Sequence, residues 1–151
     1  MTTGLPSLLH ALDRNLAEAP DREAVVFGEA RLSYERLAAH ALTLCRLFDA
    51  AALQRGDRIA GLSPSPPEAL AALVPAGLAG ATWVGLSPRY RRAEQAHILR
   101  DSGARILLAA GRDGTRDLGE DLAAHEREFT LHLIRFDAPF WSGDLASASV
   151  P

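Results

Sequence analysis

The chain has 151 residues, 48% hydrophobic and 23% charged, with a formal net charge of −3, an ordinary globular composition and enough chain for one domain. All 16 basic residues are arginine and lysine is absent, which excludes a lysine nucleophile, a Schiff base and a P-loop lysine within these residues. The single Cys45 excludes an internal disulfide, no apolar run is long enough to span a bilayer, and arginines without interleaved aromatics in an acidic chain argue against nucleic-acid binding.

Leu5, Leu8, Leu9, Leu12 and Leu16 recur at helical spacing, so residues 7–19 are expected to form an amphipathic helix that Pro20 stops. Asp13 interrupts this apolar stretch and no basic segment precedes it, so a signal peptide is not expected and a cytoplasmic setting is the default. Ala24–Phe27 and Arg31–Ser33 flank Gly28-Glu29 as a short hairpin. Ser33 is placed to cap a second helix that runs to about Ala52, with Glu35 in its first turn and Leu37, Ala41, Leu44, Cys45 and Phe48 on one face.

Arg58–Leu62 is a short buried strand. Ser65-Pro66-Pro67-Glu68 has the spacing of a capping box ahead of a nearly all-apolar helix over Pro66–Leu78, which Pro75 should kink. Thr82–Leu86 is a second strand, residues 91–102 a more polar helix ended by Gly103, and Ile106–Ala109 a third strand. This β-α-β-α-β order demands a parallel sheet with crossover helices, an α/β fold. Beyond Gly111 the pattern supports a short helix over Asp117–His125 and, from the alternation of Phe129, Leu131 and Leu133, a strand. Residues 1–136 form the expected domain and 137–151 a loose tail.

Six short segments fall in a telling order: Leu32-Ser33-Tyr34-Glu35-Arg36-Leu37, Gly56-Asp57-Arg58-Ile59-Ala60, Ser65-Pro66-Pro67-Glu68, Ala79-Gly80-Ala81, Leu86-Ser87-Pro88-Arg89-Tyr90 and Asp101-Ser102-Gly103-Ala104-Arg105. Together they resemble the N-terminal region of the adenylate-forming ligases, the acyl-CoA synthetases and their relatives, over residues 8 to about 110. Ser65 and Ser87 stand where that family often has asparagine. The resemblance implies a layered N-terminal domain of an enzyme that joins a carboxylic acid to AMP with ATP and Mg²⁺, then passes the acyl group to a thiol, often coenzyme A. It also implies that the phosphate loop, the hinge and the catalytic lysine lie beyond the equivalent of Pro151. A scaffold role without adenylation by these residues alone is therefore expected, in a fragment or a truncated protein, with the rest of a ligase N-terminal domain or a second copy as partner. A non-catalytic module docking on a ligase or carrier protein, and a flavodoxin-like nucleotide binder, remain open as other readings.

Arg89, Arg91 and Arg92 are the densest positive charge. By the resemblance, Arg89 stands where some acyl-CoA ligases hold an arginine near the phosphates of coenzyme A, which a guanidinium can bind bidentately; the competing reading is a solvated helix start. Ala110-Gly111-Arg112-Asp113-Gly114 lacks the full glycine pattern of a phosphate loop and reads as a turn. His10, His40, His97, His125 and His132 lack metal-ligand spacing and are expected at the surface or the core's edge. Cys45 fits a core position, and Trp83 is expected to pack between sheet and helix.

Overall fold

The computed structural model of the protein describes residues 8–62 and 66–136. The expectations for the cap at Ser65-Pro66-Pro67-Glu68 and for a tail over 137–151 lie outside the described residues and side chains.

In chain order the elements are α1 (Leu8–Glu18), β1 (Glu23–Phe27), β2 (Ala30–Ser33), α2 (Tyr34–Ala50), β3 (Arg58–Leu62), α3 (Pro66–Leu78), β4 (Thr82–Leu86), α4 (Arg92–Ser102), β5 (Ile106–Ala110), β6 (Arg112–Asp113), β7 (Arg116–Asp117), α5 (Gly119–Glu128) and β8 (His132–Phe136). β1 and β2 pair antiparallel across a turn in which Gly28 takes φ 57°. Ser33 caps α2, its hydroxyl accepting from the Arg36 amide at 3.3 Å, and Leu37, Ala41, Leu44 and Phe48 are buried along that helix.

β3, β4, β5 and β8 form one parallel sheet in the order β4-β3-β5-β8. β3, β4 and β5 are mostly apolar along their length because helices cover both faces of the sheet. Ile59, Ile106, Leu108 and Ile134 pack with Leu44 and Phe48 of α2 and Ala72 and Ala76 of α3. Ala60, Leu62, Leu107, Ala109 and Leu133 pack on the other face with Leu99 of α4 and Leu122 of α5. Each fully buried Leu or Ile contributes roughly 1.5–3 kcal/mol relative to exposure, so this double-sided core is what holds the three layers together. The chain goes from β3 to β4 on one side and then returns past β3 to β5. The strand order therefore reverses between β3 and β5, and the crevice such a reversal opens lies at the C-terminal ends of the strands.

Two boundaries differ from the sequence reading. The helix expected over Asp117–His125 runs from Gly119 to Glu128, because the Asp117 carboxylate accepts from the Gly119 amide at 2.7 Å and holds the residue outside the helix. The strand expected from the alternation of Phe129, Leu131 and Leu133 starts only at His132. Phe129 is the C-cap of α5, and the strand instead places adjacent Leu133 and Ile134 on opposite buried faces. Alternation is a rule for half-exposed strands, and this strand is covered on both sides.

Three of the six segments meet at the N-terminal ends of the strands. The Gly56 amide donates to the Gly80 carbonyl at 2.9 Å and the Thr82 amide to the Asp57 carbonyl at 2.8 Å. The Asp57 carboxylate accepts from the Gln54 amide at 2.8 Å and from Arg105 at 3.0 Å. The Gln54 amide foremost, with the Arg105 guanidinium, holds the Asp57 carboxyl below its usual range. Arg58 donates through Nε to the Ser102 carbonyl at 2.7 Å and through Nη2 to that of Gly103 at 2.9 Å, satisfying carbonyls that the end of α4 leaves open. Gly103 there adopts φ 56°, ψ 42°, the left-handed conformation that favours glycine. These segments build the sheet's closed end.

Candidate functional site

The Leu86-Ser87-Pro88-Arg89-Tyr90 segment lies at the opposite end, where β4 runs out into α4. Ser87 turns the chain: its hydroxyl accepts from the Arg89 amide at 3.2 Å and its carbonyl from the Tyr90 amide at 3.1 Å. Arg91 caps α4, its amide donating to the Glu94 carboxylate at 2.7 Å. Arg89 and Tyr90 are exposed, and among the described residues the Arg89 guanidinium has no hydrogen-bond or ion-pair partner. It is a free cation on a turn whose backbone is tied down.

Two other elements hold that turn. The Gln95 side chain of α4 is 0% exposed, and its amide nitrogen donates to the carbonyls of Ser87 at 3.4 Å and Tyr90 at 3.2 Å. From β7, Arg116 donates to the Pro88 carbonyl at 2.6 Å and pairs with Asp121 of α5 at 2.9 Å. Behind Gln95 stands His125 of α5, also 0% exposed, with Nε2 at 3.0 Å from the Gln95 amide oxygen. Because the Gln95 nitrogen faces two carbonyls, its oxygen faces the imidazole, and His125 must carry its proton on Nε2. Its Nδ1 is buried without a hydrogen-bond partner among the described residues, a bare lone pair. Burial first, and the Arg92 charge as well, lower the His125 pKa against the opposing pull of Asp121 and Glu128, which favours this neutral form.

Beside the turn, Arg91, Arg92 and Arg100 line an open groove of about 540 Å³ between α4 and the end of α5, floored by Ala93 and Ala96. Arg100 is engaged with Glu128 at 2.5 Å and lies over the Phe129 ring at 5.5 Å. Arg89 is not among the groove's lining residues. Gly111–Gly114 belongs to the β6–β7 hairpin, in which Gly114 has φ 58°. His10, His97 and His132 are exposed, whereas His40 and His125 are buried rather than at the core's edge. Burial chiefly, and Arg36 next, lower the His40 pKa to about 4. Cys45 is half-buried on α2, and burial, then Asp49, push its thiol pKa up. No group of His, Cys, Asp and Glu fit to hold a metal ion is present among the described residues. No helix of the described residues is long and apolar enough to cross a membrane.

The Gln95–His125 pair escapes the sequence because glutamine at that point of an amphipathic helix looks like a solvated position. The only trace is that Gln95 falls one turn before Leu99 on the face that Ala96 and Leu99 bury.

The family model described as AMP-binding enzyme matches residues 12–149. A feruloyl-CoA synthase of Amycolatopsis is 37% identical over 95 residues, 63% of this chain and 19% of that protein. A long-chain-fatty-acid–CoA ligase of Bacillus subtilis is 28% identical over 102 residues, 68% of this chain and 18% of its own length. The chain thus spans about a fifth of the curated relatives it matches here. Among solved structures, a benzoate CoA ligase from Burkholderia xenovorans superposes with a TM-score of 0.75 over 94% of this chain and 28% of that one, at 18% identity, a likeness of fold.

Proposed function

The chain belongs to the AMP-binding enzyme family, and from that premise we propose that it serves as the N-terminal scaffold layer of an acyl- or aryl-CoA ligase, with Arg89 facing the phosphates of coenzyme A. The unit given this role is residues 1–136, in a cytoplasmic enzyme that uses ATP, Mg²⁺ and coenzyme A. The observation that carries the reading is the separation of the segments. Gly56-Asp57-Arg58, Ala79-Gly80-Ala81 and Asp101–Arg105 bond to one another at the closed end of the sheet, while Arg89 stands at the open end with no partner among the described residues. In open α/β sheets ligands bind beyond the C-terminal ends of the strands.

Adenylation needs cations and amide donors gathered around a triphosphate. The chain has no lysine, and Arg89, Arg91 and Arg92 are strung along a turn and the start of α4. We expect the purified 151-residue chain to give no acid-dependent ATP–pyrophosphate exchange with aliphatic or aromatic acids. Exchange that a point substitution in this chain abolishes would overturn the scaffold reading.

The same reading calls for a covering partner. α3 buries Ala71, Ala72, Val74 and Ala76, yet Leu73 and Leu78 of the same helix are 37% and 60% exposed. Val26 and Phe27 of β1 and Leu42 of α2 are exposed too. Exposed large apolar side chains beside open sheet edges favour association. The cover we propose is the rest of a ligase N-terminal domain or, without it, a second copy. Sedimentation velocity over a concentration series should show the isolated chain leaving the monomer as concentration rises. A monomer throughout, with no binding of a hydrophobic dye, would favour the other reading, a module that docks on a ligase or carrier protein.

A further inference from the structure

We propose that Gln95, seated by His125, is a positioning residue that fixes the Ser87–Arg91 turn so that the Arg89 guanidinium faces its anion; the inference rests on the reading of Arg89 as a contact for coenzyme A phosphate. An exposed arginine gains little from a single anion contact, because ordering its side chain and backbone offsets most of the gain. A backbone that is already fixed removes part of that cost. The Ser87–Arg91 turn is fixed from three directions: Gln95 holds the carbonyls on either side of Pro88 and Arg89, Arg116 holds the Pro88 carbonyl between them, and the Glu94 carboxylate takes the Arg91 amide.

Gln95 is the member that can be placed wrongly. A side-chain amide that is flipped presents its oxygen to two carbonyls and its nitrogen to the histidine. The two carbonyls, which only accept, decide between the orientations, and His125 seats the one they select, its Nε2–H donating to the Gln95 oxygen at 3.0 Å. Burial first, and the Arg92 charge as well, keep the His125 ring neutral, while Asp121 is held by Arg116 and Glu128 by Arg100. A glutamine kept only to fill space would need neither the two carbonyl bonds nor the imidazole bond behind them.

The test uses the full chain, coenzyme A as probe, and three variants: Arg89→Ala, Gln95→Met and, should the latter not fold, Gln95→Asn, which keeps an amide but withdraws it by one methylene. Methionine matches glutamine in length and bulk and donates nothing. We expect Gln95→Met to speed amide hydrogen exchange at Arg89, Tyr90 and Arg91 about tenfold, leave exchange in β3 and β5 unchanged, and raise the Kd for coenzyme A about five- to tenfold, the size of effect that loss of a hydrogen-bonded clamp produces. Arg89→Ala should raise the Kd at least as much without freeing the turn. Unchanged exchange at residues 89–91 in the Gln95 variant overturns the proposal. So does a freed turn with unaltered affinity while Arg89→Ala still weakens binding. If Arg89→Ala leaves the affinity unchanged, or wild-type chain does not bind coenzyme A, the reading of Arg89 itself fails and the positioning role falls with it, and exchange in the Gln95 variant shows separately whether the clamp is real.

Discussion

Replacement of Gly61 by valine is expected to destabilise the protein by about 3 kcal/mol or more, the upper part of the range for overpacked cores, which for a chain of this size lowers Tm by roughly 6–12 °C. Gly61 lies in β3, paired with Gly85 of β4 on one side and Leu108 of β5 on the other. Trp83 of β4 fills the space above it: a Cβ built on Gly61 would stand 2.1 Å from Cζ2 and 2.2 Å from Cη2 of the indole. Those atoms belong to a rigid ring packed against the core shared with α2 and α3, so relief requires the indole to leave or β3 and β4 to part. Gly85 offers the internal control. A Cβ there meets nothing closer than Trp83 Nε1 at 4.0 Å, and Gly85→Ala should change stability by no more than about 0.5 kcal/mol. Trp83→Leu should partly rescue Gly61→Ala, with a coupling of at least about 1 kcal/mol in a thermal double-mutant cycle. Equal melting temperatures for Gly61→Val and Gly85→Ala would show that the indole does not hold this position.

The Gly61–Trp83 contact also shows where sequence reasoning reaches its limit. The strands on which the two residues lie are legible, since Arg58–Leu62 and Thr82–Leu86 are apolar runs bounded by Gly56-Asp57 and Ala79-Gly80-Ala81. The apolar run predicts Trp83 between sheet and helix, and it does pack on that core. Which glycine the ring covers depends on strand register, with Ile59 opposite Trp83 and Gly61 two residues further along, and no periodicity encodes that. The fourth strand, His132–Phe136, lies later than the alternation of Phe129, Leu131 and Leu133 predicts for a related reason: burial on both faces erases the alternation that marks a half-exposed strand. Of the site, Arg89 is legible as a motif arginine after a strand. Its supports are not, because Gln95, Arg116 and His125 stand 6, 27 and 36 residues after Arg89 and converge only through the return of α4 and α5 to one face of the sheet.

Arg58 carries the second large expectation, and it separates the two ends of the sheet. Its guanidinium donates to Ser102, Gly103 and Gly56 carbonyls at 2.7, 2.9 and 3.2 Å, so that one side chain joins the start of β3 to the end of α4. Hydrogen bonds from a charged donor each contribute about 1.5–3 kcal/mol, and partial solvent access at this rim discounts their sum. Arg58→Met should therefore cost roughly 2–3 kcal/mol, a fall in Tm of about 4–12 °C, and should raise hydrogen exchange at the end of α4. Arg58→Lys should recover only part of the loss, because an ammonium is a point donor and cannot match two neighbouring carbonyls as a planar fork does. Arg89→Met makes the same change in charge and volume at the other end of the sheet, where the guanidinium has no partner among the described residues; it should shift stability by no more than about 0.5 kcal/mol. The pair of measurements decides what each arginine is for. A large loss at Arg58 with none at Arg89 assigns the first to architecture and leaves the second free for a ligand. An equal loss at both would mean that Arg89 is itself built into the fold, and its place in the proposed coenzyme contact would have to be given up.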